Sequence, residues 1–433
     1  MAMLQTGLMP TAEILCQLYA GNFDKRILLF YGSHADLDSC RKRIESAVGR
    51  FCELFGDRPV SVFSVSGRTE LGGNHTDHQH GCVIAGGISL DILAVASPSS
   101  DDVMRVHSAG YGQDSVSCNE LTVHSFEIGT SVSLLRGVAA GFAERGIHTG
   151  GFCAYLTSDV LKGSGLSSSA AYEVLLCTIL NRFYAHDRIS TAELARIAQK
   201  AENRYFGKPC GLMDQMACAL GCAYLIDFAE PEHPVCEPVP FDPDGAGYSL
   251  CLIDTGADHA DLTDEYSSIP LDMCSVANAL GFDFLRKAKH DMIFENIPSL
   301  RSKCGDRALL RALHFYREIS RVRQQADSLR NGDFKKYLKL VNESGRSSAI
   351  YLQNVTVSGS REHQEVALTL AICEELLNGQ GACRVHGGGF AGTVQVYVPH
   401  DMLDSFRGQI RRSFGEDAFH VIQIRMIGAA SLW

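Results

Sequence analysis

The strongest local signal in this sequence is Gly163-Ser-Gly-Leu-Ser-Ser-Ser-Ala-Ala171, here called the serine loop. A helical pattern follows it, with apolar residues at Val174, Leu175, Ile179 and Phe183. Small residues let backbone N–H groups approach an anion, and a helix N-terminus favours a phosphate. An ordinary serine-capped helix after a turn would show the same pattern, so both interpretations stay open. The glycines are not followed by Gly-Lys-Ser/Thr, which excludes a Walker A loop.

A second motif, Gly67-Arg-Thr-Glu-Leu-Gly-Gly-Asn-His-Thr-Asp-His-Gln-His-Gly81, follows a strand pattern and is called the polar loop. It brings an arginine, carboxylates and several hydrogen-bonding side chains into a turn that can bind a polyol. A solvated polar turn is the alternative. A metal site is disfavoured because neighbours in one short turn rarely converge on one ion. The side chains such a site would use are His75, Asp77, His78 and His80.

Two further glycine-rich segments lie downstream. The aspartate loop, Gly207-Lys-Pro-Cys-Gly-Leu-Met-Asp-Gln215, places Asp214 before an apolar run, where a simple helix cap would also explain it. The glycine turn, His386-Gly-Gly-Gly-Phe-Ala-Gly392, formally satisfies G-x-G-x-x-G. A strand pattern at residues 393–398 follows it instead of a helix, which excludes a dinucleotide site. A turn against phosphate or another backbone remains.

Composition excludes several classes of protein. The chain has 433 residues, 45% of them hydrophobic, which favours two domains. Its net charge of −11 is spread without long single-sign blocks, so no nucleic-acid partner is expected. The 16 scattered cysteines are interpreted as reduced thiols. No positive charge precedes Lys25, and the most apolar stretch, residues 216–226, is too short to span a bilayer, so we expect a cytoplasmic protein without membrane contact.

Helix and strand patterns alternate along the chain, which indicates α+β or α/β. Strand patterns lie at residues 59–66, 82–96, 151–156 and 248–253. Helical patterns lie at residues 1–58 (a polar lead-in), 131–145 and 192–205, in stretches up to about residue 342, and at 362–377. Five of the twelve prolines fall between residues 229 and 247, which predicts an irregular segment and a domain boundary there.

Taken together, the four motifs resemble the GHMP kinases, and their order and spacing match the galactokinase branch. The serine and aspartate loops are nearly complete matches, and four motifs in order are more specific than one. The resemblance implies an α+β fold of GHMP kinase type, with an N-terminal lobe like ribosomal-protein S5 domain 2 and a C-terminal ferredoxin-like α/β sandwich lobe. The implied domains are residues 1–245, with 1–50 as lead-in, and residues 246–433, with the site in the cleft between them.

The resemblance also implies an ATP-dependent sugar 1-kinase that phosphorylates the anomeric hydroxyl of galactose, with Mg2+ as cofactor and ATP as cosubstrate. Asp214 would act on the C1 hydroxyl as base or orienting carboxylate, and Arg68 would pair with it, both from predicted loops. Ser168 and Glu202 would be the magnesium ligands. The residues around the ATP phosphates would be Gly163, Ser164, Gly165, Leu166, Ser167, Ser168 and Ser169. We expect sugar and ATP as partners and a monomer or weak homo-oligomer.

The residues implied to contact the sugar are Asn74, His75, Asp77, Gly211 and Tyr266. The family pattern has Glu at position 74, Tyr at position 78 and Asn at position 70, where this chain has Asn74, His78 and Glu70. Asparagine would tolerate a carboxylate at the sugar's C6, where glutamate would repel it by roughly 1 kcal/mol in water and about 4 kcal/mol at an effective dielectric of 20. The plant galacturonate kinases look similar here, so galacturonate is a rival substrate.

A non-catalytic sugar and ATP sensor is the alternative from another class, because galactokinase-like regulators keep the fold without the activity. The known inducer type lacks a Ser-Ala pair in the serine loop, whereas Ser169-Ala170 is present here together with Arg68 and Asp214. Other GHMP branches are disfavoured by His75-Thr-Asp77 and by the aspartate loop.

Overall fold

The computed structural model describes residues 7–160, 165–257 and 262–433. Within them, the α-helices are α1 (Thr11–Tyr19), α2 (Asp24–Tyr31), α3 (Leu37–Phe55), α4 (Ser131–Ala143), α5 (Ser168–Leu180), α6 (Thr191–Ala201), α7 (Met213–Leu220), α8 (Thr263–Ala279), α9 (Asp291–Glu295), α10 (Ile297–Arg330), α11 (Phe334–Ser347), α12 (Glu365–Leu377) and α13 (Leu403–Phe414). The strands are β1 (Ser61–Gly72), β2 (Cys82–Pro98), β3 (Val103–Ser108), β4 (Gln113–Ser117), β5 (Phe152–Ser158), β6 (Ala223–Asp227), β7 (Val235–Pro238), β8 (Tyr248–Asp254), β9 (Ala382–Val385), β10 (Thr393–Pro399), β11 (Phe419–Val421) and β12 (Ala430–Ser431).

The larger sheet has the strand order β12-β1-β2-β5-β3-β4, with β6 on β2 and β7 on β6. Its long strands β1 and β2 are covered on both faces. Because successive side chains of a strand point to opposite faces, Val62 packs on one side and Phe63 and Val65 on the other. The second of these sides carries α4, α5, α6 and α7, which hold the serine and aspartate loops at their ends.

Helices α1, α2 and α3 cover the outer face of this sheet, so the predicted helical lead-in is confirmed over the described residues. Asp91 on β2 is fully buried and accepts hydrogen bonds from Arg43 Nη1 at 2.6 Å and Tyr31 Oη at 2.9 Å. The Trp433 ring stacks on Phe23, with centroids 5.4 Å apart. The lead-in and the C-terminus therefore form one packed layer.

The smaller sheet has the order β11-β8-β10-β9, with antiparallel neighbours. Helices α12 and α13 pack on one face, through Val366 and Phe406. Helices α10 and α11 join the two halves of the molecule, because Val322 and Leu338 lie in the core of the larger sheet while Phe315 packs with α8. The C-terminus returns to the larger sheet, where Ser431 pairs with Phe63.

The proline-rich segment at residues 229–247 was expected to be irregular, and this is wrong in one place. Strand β7 pairs with β6, so that Asp227 faces Val235 and Tyr224 faces Pro238. Pro234 lies before the strand and Pro238 at its end, and β7 is an edge strand, where a missing N–H is tolerated. A domain boundary at 245/246 stays a prediction.

The sixteen cysteines are free thiols. Among the residues that the structure describes, no helix combines the length and the apolar character needed to cross a membrane.

Candidate active site

The serine loop ends in a strained turn at the start of α5. Gly165 and Ser167 have φ of +72° and +60°, and Ser167 is the residue before the first helical turn. Its hydroxyl does not cap the helix but donates to Asp214 Oδ2 at 2.5 Å. Ser167 therefore leaves the first N–H groups of α5 uncapped, which suits an anion. Two predicted residues, Gly163 and Ser164, lie outside the described residues.

The predicted catalytic pair is present. Arg68 Nε and Nη2 donate to the two oxygens of Asp214 at 2.8 and 3.2 Å, and Arg68 Nη1 donates to the Gly165 carbonyl at 2.5 Å. The Arg68 side chain is 5% exposed, while that of Asp214 is 34% exposed. One fork of the guanidinium thus holds the carboxylate, and the other holds the serine loop.

Both residues were expected in loops, and this is wrong. Arg68 lies inside β1, which continues to Gly72 and pairs Arg68 with Gly87 after an irregularity at Ser66. Gly67 marks this irregularity and not the end of the strand. Asp214 lies in the first turn of α7, after the N-cap residue Leu212. A strand and a helix terminus therefore fix the two groups, which gives more precise placement than loops would.

The electrostatics keep Asp214 ionised. Burial raises the pKa of a carboxyl group, but the Arg68 guanidinium, the Ser167 hydroxyl and the Lys208 ammonium together hold the pKa of Asp214 below its ordinary value. The pKa of Arg68 is raised, because the attraction of Asp214 outweighs burial. The Asp214 carboxylate is therefore a weak base, and part of it is open to solvent, where it can accept a further hydrogen bond.

Glu202 lies where α6 passes into a wider helical turn, and it meets the first turn of α5. Ser169 Oγ donates to Glu202 Oε1 at 3.2 Å, and Lys208 Nζ lies 3.6 Å from the same oxygen. Gln215 Nε2 donates to Glu202 Oε2 at 2.8 Å. The hydroxyl that contacts Glu202 belongs to Ser169, the residue after the predicted ligand Ser168.

Two residues without a role in the sequence analysis support this carboxylate, Gln215 at the end of the aspartate loop and Glu173 two residues after the serine loop. Gln215 Nε2 also donates to Glu173 at 3.2 Å, which places a second buried carboxyl group beneath Glu202. Burial, and then the charge of Glu202, raise the pKa of Glu173 well above its ordinary value. Glu173 was missed because it stands on the apolar face of α5, where a helical pattern predicts only core. A charged residue at a position that the helical pattern assigns to the core was the signal that could have identified Glu173.

The polar loop and the aspartate loop meet at Asp77. A Cβ on Gly211 would lie 1.8 Å from Asp77 Oδ2, so only glycine allows the two loops this approach. Asp77 opens a short 3-10 turn, and His75 before it has a φ of +56°. Asp77 therefore lies against the aspartate loop three residues before Asp214.

The glycine turn lies against the polar loop. Asn74 Nδ2 donates to the Gly387 carbonyl at 2.6 Å, and His75 Nε2 lies 2.8 Å from the Gly388 carbonyl. Tyr266 Oη donates to the Gly389 carbonyl at 2.7 Å.

Three predicted sugar-site side chains, Asn74, His75 and Tyr266, thus contact successive carbonyls of one turn. The pKa of His75 is lowered to about 4, by burial and then by the neighbouring His78, so the ring is neutral at physiological pH.

The remaining histidines of the polar loop have structural explanations. His80 stacks on Phe284, with centroids 3.8 Å apart, and burial lowers its pKa. His78 Nε2 lies 3.8 Å from Asp77 Oδ1. Over residues 7–160, 165–257 and 262–433, no group of three or more His, Cys, Asp or Glu side chains is arranged to hold a metal ion.

The chain matches two family models. The model of the GHMP kinases N terminal domain matches residues 133–222, which contain the serine and aspartate loops. The model of the galactokinase galactose-binding signature matches residues 49–98, which contain the polar loop. These ranges come from the half of the chain that carries Arg68 and Asp214.

Relatives extend the match to most of the chain. A galactokinase from Streptomyces coelicolor is 32% identical over 378 residues, covering 86% of this chain and 91% of that protein. A galactokinase from Homo sapiens is 31% identical over 392 residues, covering 88% and 95%.

Among solved structures, Lactococcus lactis galactokinase complexed with galactose matches with a TM-score of 0.78 at 22% identity, covering 90% of this chain and 99% of that one. A mevalonate kinase matches with a TM-score of 0.56 at 13% identity, covering 84% and 98%. The predicted family and the α+β fold class of GHMP kinase type are confirmed. The chain belongs to the galactokinase family of the GHMP kinases, and it is a phosphotransferase enzyme.

Proposed function

We propose that this enzyme transfers the γ-phosphoryl group of ATP to the anomeric hydroxyl of galactose. The observation that carries the proposal is the Asp214 carboxylate, held by Arg68 and Ser167 at the start of α5 and one-third exposed to solvent, with Asp77 against Gly211 of the same loop. A hydroxyl placed there would lie between an ionised acceptor and an anion-binding helix terminus.

In this mechanism, Asp214 orients the C1 hydroxyl by accepting its hydrogen bond. Phosphoryl transfer proceeds through a loose transition state, in which positioning and electrostatics supply most of the acceleration. The lowered pKa of Asp214 fits this role, because a weak base accepts the proton once the O–P bond is forming. Arg68 neutralises the carboxylate and holds the serine loop in register with it.

The serine loop is the proposed site of the ATP phosphates. Gly165 and Ser167 provide the turn, and the N–H groups at the start of α5, which Ser167 does not cap, would face the phosphates. Gly163, Ser164 and Leu166 complete the proposed set. Lys208, whose ammonium group is 3.6 Å from Glu202, adds positive charge near this end of α5.

The oxygen-rich surroundings of Glu202 fit Mg2+. A buried carboxylate beside serine hydroxyls is a donor set that this hard cation prefers. We propose Glu202 and Ser168 as the protein ligands, with Ser169 as a hydroxyl that orients Glu202. When bound, Mg2+ neutralises charge on the β- and γ-phosphates of ATP.

The proposed sugar contacts are His75, Asp77, Gly211 and Tyr266, because the polar loop, the aspartate loop and the glycine turn meet at these residues. Galacturonate is the second substrate candidate. Position 74 carries no charge, and the Glu70 carboxylate is paired with Arg384, so neither opposes a carboxylate at C6. A two-lobed division at 245/246, with the site in the cleft, remains part of this proposal.

A panel assay tests the function. The purified protein is given Mg2+ and ATP with galactose, galacturonate, other aldohexoses and amino sugars, and kcat/KM is measured for each. We expect the highest value for galactose. A higher value for galacturonate would replace the substrate but keep the reaction, whereas binding of sugar and ATP without turnover would identify a sensor.

A further inference from the structure

The side chain of Asn74 is occupied by protein groups on every side. Its Nδ2 donates to the Gly387 carbonyl at 2.6 Å and to the Glu70 carboxylate at 3.2 Å. Its Oδ1 accepts hydrogen bonds from Asn354 Nδ2 at 2.8 Å and from Ser348 Oγ at 3.3 Å. A primary amide has two donor hydrogens and two acceptor lone pairs, so Asn74 has no hydrogen-bonding capacity left for a ligand.

Asn354 holds the same turn from the opposite side. Its Nδ2 also donates to the Gly388 carbonyl at 3.1 Å, and its backbone carbonyl accepts from Phe390 N at 2.6 Å. Both Nδ2 hydrogens are thereby directed at oxygen acceptors. An inverted amide would set its oxygen against those acceptors, so this orientation is fixed.

Burial separates this amide pair from the proposed sugar contacts. Asn74 is 1% exposed and Asn354 is 0% exposed, whereas His75 and Tyr266 are only partly buried. The two amides therefore lie behind the glycine turn, and the histidine and tyrosine lie at its open side.

The turn that they hold borders the catalytic groups. A Cβ on Gly387 would lie 3.3 Å from the Gly165 carbonyl and 3.5 Å from Arg68 Nη2. A Cβ on Gly389 would lie 2.2 Å from the Asn354 carbonyl, so the turn lies close against the Asn354 backbone and only glycine fits at this position. The position of the turn thus bears on Arg68 and on the serine loop.

Glu70 forms the base of the arrangement. Arg384 Nη2 donates to its carboxylate, and both side chains are 1% exposed. Arg384 also donates to Ser344 Oγ at 3.1 Å, which continues to Glu318 at 2.5 Å. The charge at position 70 is therefore balanced inside the fold, and an amide is the group at position 74 that can donate to both Glu70 and Gly387.

We propose that Asn74 and Asn354 form a clasp that positions the glycine turn against Arg68 and the serine loop, and that Asn74 does not read the C6 substituent of the sugar. The inference rests on the proposed function, since it assigns a positioning role within the same site. Asn74 and Asn354 act through the turn and do not touch the reacting atoms.

The test compares Asn74→Ala with Asn354→Ala, both neutral truncations, and uses Asn331→Ala at an exposed helix end as the matched control. For variants shown to be folded by thermal unfolding, we expect kcat for galactose to fall about tenfold in each clasp variant, because a shifted turn misplaces Arg68. The galactose to galacturonate ratio of kcat/KM stays at the wild-type value in both, and Asn331→Ala behaves as wild type.

A shift of that ratio in Asn74→Ala but not in Asn354→Ala would overturn the proposal, because it would make Asn74 a sugar contact. Wild-type kcat in a folded Asn354→Ala variant would also overturn it.

A second readout does not depend on activity. Backbone amide hydrogen exchange in residues 386–393 is expected to accelerate at least tenfold in both clasp variants, because each removes a side-chain amide that anchors the turn through the Gly387 or the Gly388 carbonyl. Unchanged exchange rates in residues 386–393 would contradict the proposed clasp. A wild-type enzyme inactive on every sugar would reject the proposed function alone, and the exchange experiment would still decide the clasp.

Discussion

Two parts of the site hold distant segments together by opposite means. Arg68 and Asp214 are a charged pair, and the carboxylate side chain is 34% exposed to solvent. Asn74 and Asn354 are neutral amides that are almost completely buried and bonded only to protein groups. The first pair can act on a ligand, because its carboxylate is open to solvent. The second pair is closed to solvent, so it can only set the position of the backbone between its two members.

The difference explains why a polar side chain in a family motif need not touch the substrate. Asp214 is ionised and accessible, and its pKa is held low by partners that leave one face open. Asn74 stands in the same surroundings, but its donors and acceptors are used by Glu70, Gly387 and Asn354. Residual hydrogen-bonding capacity distinguishes the two roles better than proximity does.

The largest effect is expected at the charged pair. Asp214→Asn keeps the shape but removes the acceptor charge and the ion pair with Arg68, so kcat should fall by about 10³-fold or more while the fold is kept. Steady-state kinetics with galactose measure this, and thermal unfolding checks the fold. A variant retaining a tenth of the wild-type turnover would exclude Asp214 from the chemistry.

At the clasp, Asn74→Glu should destabilise the protein instead of changing its sugar preference. A second carboxylate would face Glu70 and the Gly387 carbonyl without a partner, which lowers the free energy of unfolding by about 3 kcal/mol. Denaturant unfolding measures it, with Asn331→Glu as the exposed control. A stable Asn74→Glu enzyme with an increased preference for galactose would contradict the separation of the two regions.

A smaller effect on activity than at the charged pair is expected at the proposed cation site. Glu202→Gln keeps the size of the side chain but weakens an oxygen ligand, so the Mg2+ concentration for half-maximal activity should rise about tenfold. Glu295→Gln, at an exposed position, serves as the control. An unchanged Mg2+ titration in Glu202→Gln would remove this residue from the proposed ligand set.

A smaller effect is expected from His75. Its pKa is about 4 in the folded protein and about 6.5 when unfolded, so between these values the unfolded chain binds more protons. The contribution of the neutral His75 ring to stability is complete above about pH 6.5 and is lost as the pH falls toward 4. At pH 5 the free energy of unfolding is lowered by about 1 to 2 kcal/mol.

His75→Gln should flatten the pH dependence of the free energy of unfolding, measured by denaturant titrations from pH 7 to pH 5. His314 and His386, whose pKa values are also lowered by burial, will leave a remaining slope. Identical slopes in wild type and variant would refute the buried, neutral state of His75.

Much of the fold was predictable from local patterns. The strands around residues 61–72, 82–98 and 152–158 and the helices of the lead-in carry apolar periodicities that match the two buried faces of the larger sheet. The end of β1 was not predictable, because Gly67 is typical of a turn although the strand continues through it. Strand β7 was missed because prolines at its ends hide a short edge strand.

The site was predictable as motifs but not as contacts. The serine, polar and aspartate loops are recognisable in the sequence by their glycines and polar side chains. The structure brings Arg68, Asp214 and Ser167 of these loops together. Asn354 and Arg384 carry no local signal, since each lies in an ordinary segment hundreds of residues from its partner. Their roles arise from tertiary packing, which no pattern within a short window records.

The regiochemistry of the product can be measured by 31P NMR of a reaction containing the wild-type enzyme, Mg2+, ATP and galactose. We expect a sugar phosphate on C1, formed with many turnovers and in equal amount to ADP. A phosphate on another carbon, or no sugar phosphate while ATP and galactose both bind, would contradict the assignment of Asp214 to the anomeric hydroxyl.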